Sequence, residues 1–173
     1  MKTRVKEKVV QSTASRMLRR NFFYFCIIIT IFLVDRISKL WMISLSNSVD
    51  TPKIELLPFI NLHLIWNKGI AFGLFSFSEK SNYNLLTVLI LIIIFVVFWM
   101  IIRTKGLEKY GFLMVFGGSL GNVYDRLFYS SVPDFIDIYY KNFHWFVFNV
   151  ADIFITVGVL MLIINEITIK NHK

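Results

Sequence analysis

The 173-residue chain holds one cysteine, three prolines and eight glycines, and each scarcity removes a class of architecture. With Cys26 alone, neither an intramolecular disulfide nor a thiolate metal cluster can form. Its place inside an apolar run suits a thiol that packs against lipid or core. The acids are few, 11 Asp and Glu against 19 Lys and Arg, for a formal charge of +8. In a soluble protein that excess would suggest nucleic acid. Here the basic residues gather beside long apolar runs and form no stripe with interleaved aromatics, so no nucleic-acid partner is expected. His63, His144 and His172 fall in three different segments between or after the apolar runs. A zinc site wants three or four converging ligands, so neither a metal nor a cofactor is expected. Internal repeats and low-complexity segments are absent, and the linkers are too short for a second domain, which leaves one unit over 1–173.

What the chain has in quantity is apolar side chain, 56% hydrophobic residues with 17% aromatic. That is more than one small soluble core could hide, so lipid must solvate most of it. About 20 mainly apolar residues cross a hydrocarbon core as a helix, and four stretches qualify: 22–45, 83–102, 110–128 and 146–169. The expected fold class is therefore an all-α membrane protein of four transmembrane helices. The second span is free of charge between Leu85 and Ile102 and reads as pure scaffold. Lys and Arg flank the spans in a pattern that sets orientation. Basic residues fill 1–21, a cytoplasmic tail, as well as the 103–109 link and the C-terminus, which places both termini inside. Segments 46–82 and 129–145 carry balanced charge and belong outside. The first span contains Asp35, Arg36 and Lys39 and lacks an A-x-A-like cleavage site, so it reads as a retained helix and not as a secretory signal. Alternation over 61–66, after Pro52 and Pro58, suggests short strands or a loop on the membrane surface.

Ionisable groups inside spans are costly, which makes their positions informative. Asp35 and Lys39 on the first span, Asn122, Asp125 and Arg126 on the third, and Asn149 and Asp152 on the fourth all fall near one outer level. Asp35 and Lys39, four residues apart on one helix face, read as a structural ion pair. Arg36 is expected to snorkel to the interface. A Ser38/Lys39 dyad is disfavoured because neighbouring helix positions face different ways. Asp134 lies just outside the third span, so Asp134 and Asp152 could meet across the bundle. Two carboxyls in a partly dry site cannot both ionise easily; one keeps a proton while the other stays charged, which suits activation of water. The competing reading is a buried structural pair with Arg126. A transporter component, a magnesium-dependent lipid head-group transferase and a noncatalytic assembly subunit are the other function classes to weigh.

Five motifs then fall in order: D-R-I-S-K at 35–39, N-K-G-I-A-F at 67–72, G-N-V-Y-D-R at 121–126, V-P-D-F at 132–135 and F-N-V-A-D at 148–152. Together they resemble the bacterial lipoprotein signal peptidases, signal peptidase II, over nearly the whole chain except the basic tail. The resemblance implies four transmembrane helices with a small extracytoplasmic β-like cradle, and an aspartic endopeptidase in the bacterial inner membrane. Such an enzyme removes signal peptides from diacylglyceryl-modified prolipoproteins by cutting before the lipidated cysteine. It implies Asp134 and Asp152 as catalytic, and Asn67, Gly69, Asn122, Arg126 and Asn149 as substrate-binding. Asp35, Lys39 and Asp125 would support the site; the implied partners are the lipidated precursors and membrane lipid. Pro133, Phe146 and Ile153 depart from the family pattern, the last two standing where proline and serine are common.

Overall fold

The structure is a computed structural model that describes residues 2–48, 53–69, 80–141 and 143–171, with side chains from 13 to 170 and, in the second helix, from 85 onward. Residues 70–79, and with them Ile70, Ala71 and Phe72 of the second motif, lie outside the described residues.

The first helix, α1, runs Lys2–Ser48 without a break. No glycine or proline occurs before Pro52, and the charged first half is rich in straight-chain residues that lose little freedom in a helix. Its 47 residues span about 70 Å, more than twice the ~30 Å of a hydrocarbon core. The basic segment expected as a tail is thus helix continuous with the first span. Three further helices follow, α2 at Lys80–Arg103, α3 at Leu107–Tyr129 and α4 at Val150–Asn171. Four strands complete the fold, β1 at Ile54–Leu57, β2 at Ile60–Asn67, β3 at Val132–Tyr140 and β4 at Phe143–Phe148. They form one antiparallel sheet in the order β1-β2-β3-β4. The chain is mostly helical with a small sheet.

Two boundaries differ from expectation. Segment 129–145, expected as a plain connection, contains β3 and the first half of β4, and Phe146 to Phe148 belong to β4 instead of opening the last span. The aromatic and branched residues of F-H-W-F-V-F suit a strand as well as a helix. The boundary is set by Asn149, whose side chain caps α4 at Val150. At the other end of this segment Ser130 adopts φ 54°, a left-handed C-cap that turns the chain from α3 into β3.

Burial runs opposite to that of a soluble protein. Leu85 and Phe95 are both 70% exposed, whereas Asp35, Lys39, Asp125 and Asn149 are fully buried. An apolar exterior over a polar interior is what a lipid solvent selects. By length and composition, Leu85–Arg103 and Val150–Lys170 are apolar enough to cross a membrane, with mean hydropathy 3.4 and 2.1. A small apolar cluster of Met42, Leu62 and Phe135 joins α1 to β2 and β3 and seats the sheet on the C-terminal part of α1.

α3 packs against α1, α2 and α4. Its approach to α4 depends on Gly118, where an added Cβ would sit 2.6 Å from the Ala151 carbonyl oxygen. That oxygen is backbone and cannot swing away. Gly118→Ala should therefore push the two helices apart and cost about 1–3 kcal/mol, the usual range for overpacking. A melting temperature equal to wild type in the same detergent would contradict this packing.

Candidate active site

The polar interior centres on Lys39 of α1, whose ammonium is fully buried. It donates to Asp35 Oδ2 at 2.8 Å, to Asn122 Oδ1 at 2.8 Å and to Asp125 Oδ2 at 2.7 Å, which accounts for all three of its protons. Asp35 Oδ1 accepts from the Ala151 N–H at 3.0 Å, so the pair on α1 also grips the first turn of α4. A Cβ on Gly121 would collide with the Asp35 carboxylate. Only glycine lets α3 lie against this ion pair. Asp125 takes a second cation, Arg36, which turns inward and lies over the Tyr124 ring at 4.8 Å. The expected snorkelling of Arg36 is corrected here: Asp125 and an aromatic face are within its reach, so the guanidinium gains more by pairing than by hydration. Ser38 bonds the Asp35 carbonyl oxygen of its own helix at 2.8 Å.

Asn122 carries this arrangement upward. Because Lys39 can only donate, the Asn122 oxygen must face it, and its NH₂ is turned to Asp152 Oδ1 at 2.9 Å. Asn149 works similarly. Its Oδ1 accepts from the Asp152 N–H at 3.2 Å, while Asp152 Oδ2 accepts from the Asn149 N–H at 3.2 Å, a reciprocal cap that fixes the Asp152 rotamer. The free end of the same amide donates to Asp134 Oδ1 at 2.6 Å. From β2, Asn67 donates to Asp134 Oδ2 at 2.8 Å, while its oxygen holds the Gly69 N–H at 2.8 Å. Each of three asparagines thus has its oxygen on a fixed donor and its NH₂ on one of two carboxylates.

Those carboxylates, Asp134 and Asp152, face one cavity of about 170 Å³ with Asn67, Asn122, Arg126 and Asn149. Arg126 spans two carbonyls, its own helix's Asn122 at 3.1 Å and Gly69 at 3.0 Å, and so ties the end of β2 to α3. Gly69 enters the site through that carbonyl. Asp35, Lys39 and Asp125 lie beneath the cavity and not in its wall. Ile90, Ser119, Val132 and Ile155 also line it and were not read from the sequence. Ser119 could have been found, because it stands three and seven residues before Asn122 and Arg126 on one helix face. Ile90 shows that α2, expected as pure scaffold, supplies one wall.

On the sheet, register brings His144 to 2.8 Å and His63 to 3.7 Å from the buried Asp137 carboxylate. The two histidines, expected to lie apart, share one partner. Among the described residues no three His, Cys, Asp or Glu side chains are placed to hold a metal ion.

Burial is the main force on Asp134, raising its carboxyl from 3.8 to about 6; the neighbouring Asp152 charge adds to it, and hydrogen bonds from Asn67 and Asn149 oppose it. The folded chain therefore holds a proton there that the unfolded chain has released. Stability from this group is present below pH 3.8 and is lost as pH rises through about 6, on the order of 3 kcal/mol. Asp134→Asn cannot titrate. Its melting temperature minus that of wild type should grow as pH is raised from 4 to 7 (roughly the span of that titration), and a constant difference would contradict the assignment.

A sequence model of the family described as "Signal peptidase (SPase) II" matches residues 27–168. A lipoprotein signal peptidase of Pelagibacter ubique (strain HTCC1062) is 47% identical over 155 residues, which is 89% of this chain and 93% of the relative. A protein of the same name from Wigglesworthia glossinidia brevipalpis is 41% identical over 81% of this chain and 91% of its own length. Among solved structures, one described as a bacterial membrane enzyme superposes with a TM-score of 0.73 over 87% of this chain and 91% of its own, at 24% identity, and shares the fold. A second bacterial membrane enzyme gives 0.68 at 25% identity, covering 83% of this chain and 91% of that one.

Proposed function

The chain belongs to the signal peptidase II family, and from that premise we propose that Asp134 and Asp152 are the catalytic pair of an aspartic endopeptidase working at the outer face of the bacterial inner membrane. The protein is a membrane peptidase that removes signal peptides from prolipoproteins. The observation that carries the aspartic reading is a single cavity holding two carboxyls, with Asp134 raised to about 6. Below about pH 6 such a pair holds one proton between its members.

The chemistry follows from that shared proton. The charged carboxylate takes a proton from water as the water oxygen bonds to the peptide carbonyl carbon, and the neutral carboxyl gives its proton to the carbonyl oxygen. Collapse of the tetrahedral species breaks the C–N bond: the carboxyl that gained the water proton delivers it to the leaving nitrogen, and the other carboxylate takes back a proton from one hydroxyl as the new C=O forms, which restores the starting pair. The asparagines hold both carboxyls in place throughout, so little reorganisation accompanies the charge shift. Arg126, Asn67, Gly69, Asn122 and Asn149 frame the peptide, with amide and guanidinium groups facing its carbonyls. The substrate is a precursor whose cysteine carries diacylglycerol and is cut just before that cysteine. A lipid anchor confines the scissile bond near headgroup level. In this reading α1 and α3 also cross the membrane, giving four spans with both termini cytoplasmic.

Asp134→Asn and Asp152→Asn should each abolish cleavage of a diacylglyceryl-modified precursor while leaving the protein inserted, and the double variant should be no worse than either single one. Asp125→Asn, which changes a group below the cavity, should keep part of the turnover. Chelator should leave wild-type cleavage unchanged, which separates this reading from a magnesium-dependent transferase. Near-normal turnover by Asp134→Asn alongside none by Asp125→Asn would move the pair to Asp125 and Asp152.

Arg126→Lys tests the frame around the peptide. One ammonium cannot replace a planar fork that spans the Gly69 and Asn122 carbonyls, so a marked loss of cleavage is expected. Wild-type turnover would remove Arg126 from the site. For orientation, a cysteine placed at Lys105 should be shielded from external reagents in intact cells, and labelling there would reverse the topology.

A further inference from the structure

A second concavity, of about 530 Å³, runs along α4 beneath the sheet, with Phe146 and Phe148 of β4 above it and Ile153, Val157 and Leu160 of α4 along it. It is continuous with the catalytic cavity, for Asp152 and Ile155 line both. From Asp152 to Leu160 the helix descends about 12 Å, so the groove leads from the catalytic carboxylate into the apolar layer. Phe146 and Ile153, two of the positions that depart from the family pattern, are both in its wall. Where proline and serine are common, this chain places a phenyl ring and a branched aliphatic side chain.

We propose that this groove holds an acyl chain of the lipid-modified cysteine during cleavage; the assignment rests on the peptidase reading above and names a subsite for it. The lining decides between acyl chain and peptide. Besides Asp152 its one polar side chain is Thr156. An extended peptide would leave its N–H and C=O groups unpaired against such a wall. An acyl chain has no polar groups to satisfy. Bilayer lipid is itself apolar, so moving a chain from bilayer to groove yields little free energy, and the groove acts by orientation. A chain held along α4 fixes the thioether, and with it the scissile bond, relative to Asp134 and Asp152.

Val157 and Val159 are 39% and 41% exposed and stand outside the catalytic cavity, so larger side chains there can fill the groove without touching the carboxyls. The test uses the full-length protein in lipid nanodiscs and two precursors that differ only in acyl length, one hexadecanoyl and one butanoyl. Val157→Trp and Val159→Trp should lower kcat on the long-chain precursor by about tenfold or more and change kcat on the short-chain one by less than about twofold. A photoreactive group midway along the substrate's acyl chain should label α4 between Ile153 and Leu160, whereas the same group on bulk phospholipid should not favour that stretch. Equal losses on both precursors, no loss on either, or equal labelling by substrate and bulk lipid would overturn the groove assignment while the peptidase reading stands. If wild type cleaves neither precursor, the peptidase reading fails and the groove assignment falls with it.

Discussion

One buried ammonium governs the polar interior. Lys39 is fully enclosed; two of its three protons bind α1 to α3 through Asn122 and Asp125, and the third holds Asp35, which binds α1 to α4 through the Ala151 N–H. Removing such a charge from water costs several kcal/mol, which only a complete set of acceptors offsets. The arrangement is therefore poor evidence of extra stability and good evidence of a fixed geometry. Its consequence is chemical: with the Asn122 oxygen committed to Lys39, the NH₂ of Asn122 has Asp152 as its acceptor.

The same logic repeats around the cavity. Asn149 spends its oxygen on the α4 N-terminus and Asn67 spends its oxygen on the Gly69 turn, so both amides present hydrogens to Asp134. A helix cap, a turn and an ion pair, each of local structural origin, thus become the frame of two carboxyls. The frame is also what brings sheet and helices together, since Asp134 comes from β3, Asn67 from β2 and Asp152 from α4. Glycines at 118 and 121 allow the close approach that these short bonds require.

Much of this was legible before any coordinates. The long apolar runs and their interrupting charges located three helices to within a few residues, and the end but not the start of α1, whose basic first half carries no apolar signal. The motif order led to Asp134 and Asp152, and Asp35 and Lys39 were read correctly as an ion pair. The strands were harder. Phe143 to Phe148 is aromatic and branched throughout, so its apolar character suits a strand or a span, and only the cap at Asn149 separates them. Arg36 was misplaced because snorkelling and inward pairing differ by a partner on another helix, and sequence spacing says nothing of Asp125 lying across from it. His63 and His144 met on Asp137 through strand register, which depends on bulges between Leu62 and Ile65 and between Asp137 and Tyr139. Ile90 carries no signal at all, being one apolar residue in a run of them.

If Lys39 matters chiefly as the group that aims Asn122 at Asp152, its effect on turnover should separate from its effect on folding. In Lys39→Met the carboxylates of Asp35 and Asp125 lose a buried cation, and the protein should be strongly destabilised. Adding Asp35→Leu removes one of those carboxylates and leaves Asp125 paired with Arg36. The most direct measurement is kcat for a diacylglyceryl-modified precursor in that double variant, taken beside its melting temperature. The account predicts that the double variant recovers thermal stability relative to Lys39→Met yet remains well below wild type in kcat, because Asn122 is no longer held. Recovery of wild-type kcat together with stability would show that Lys39 only balances charge, and would contradict the claim that it orients the proposed catalytic pair.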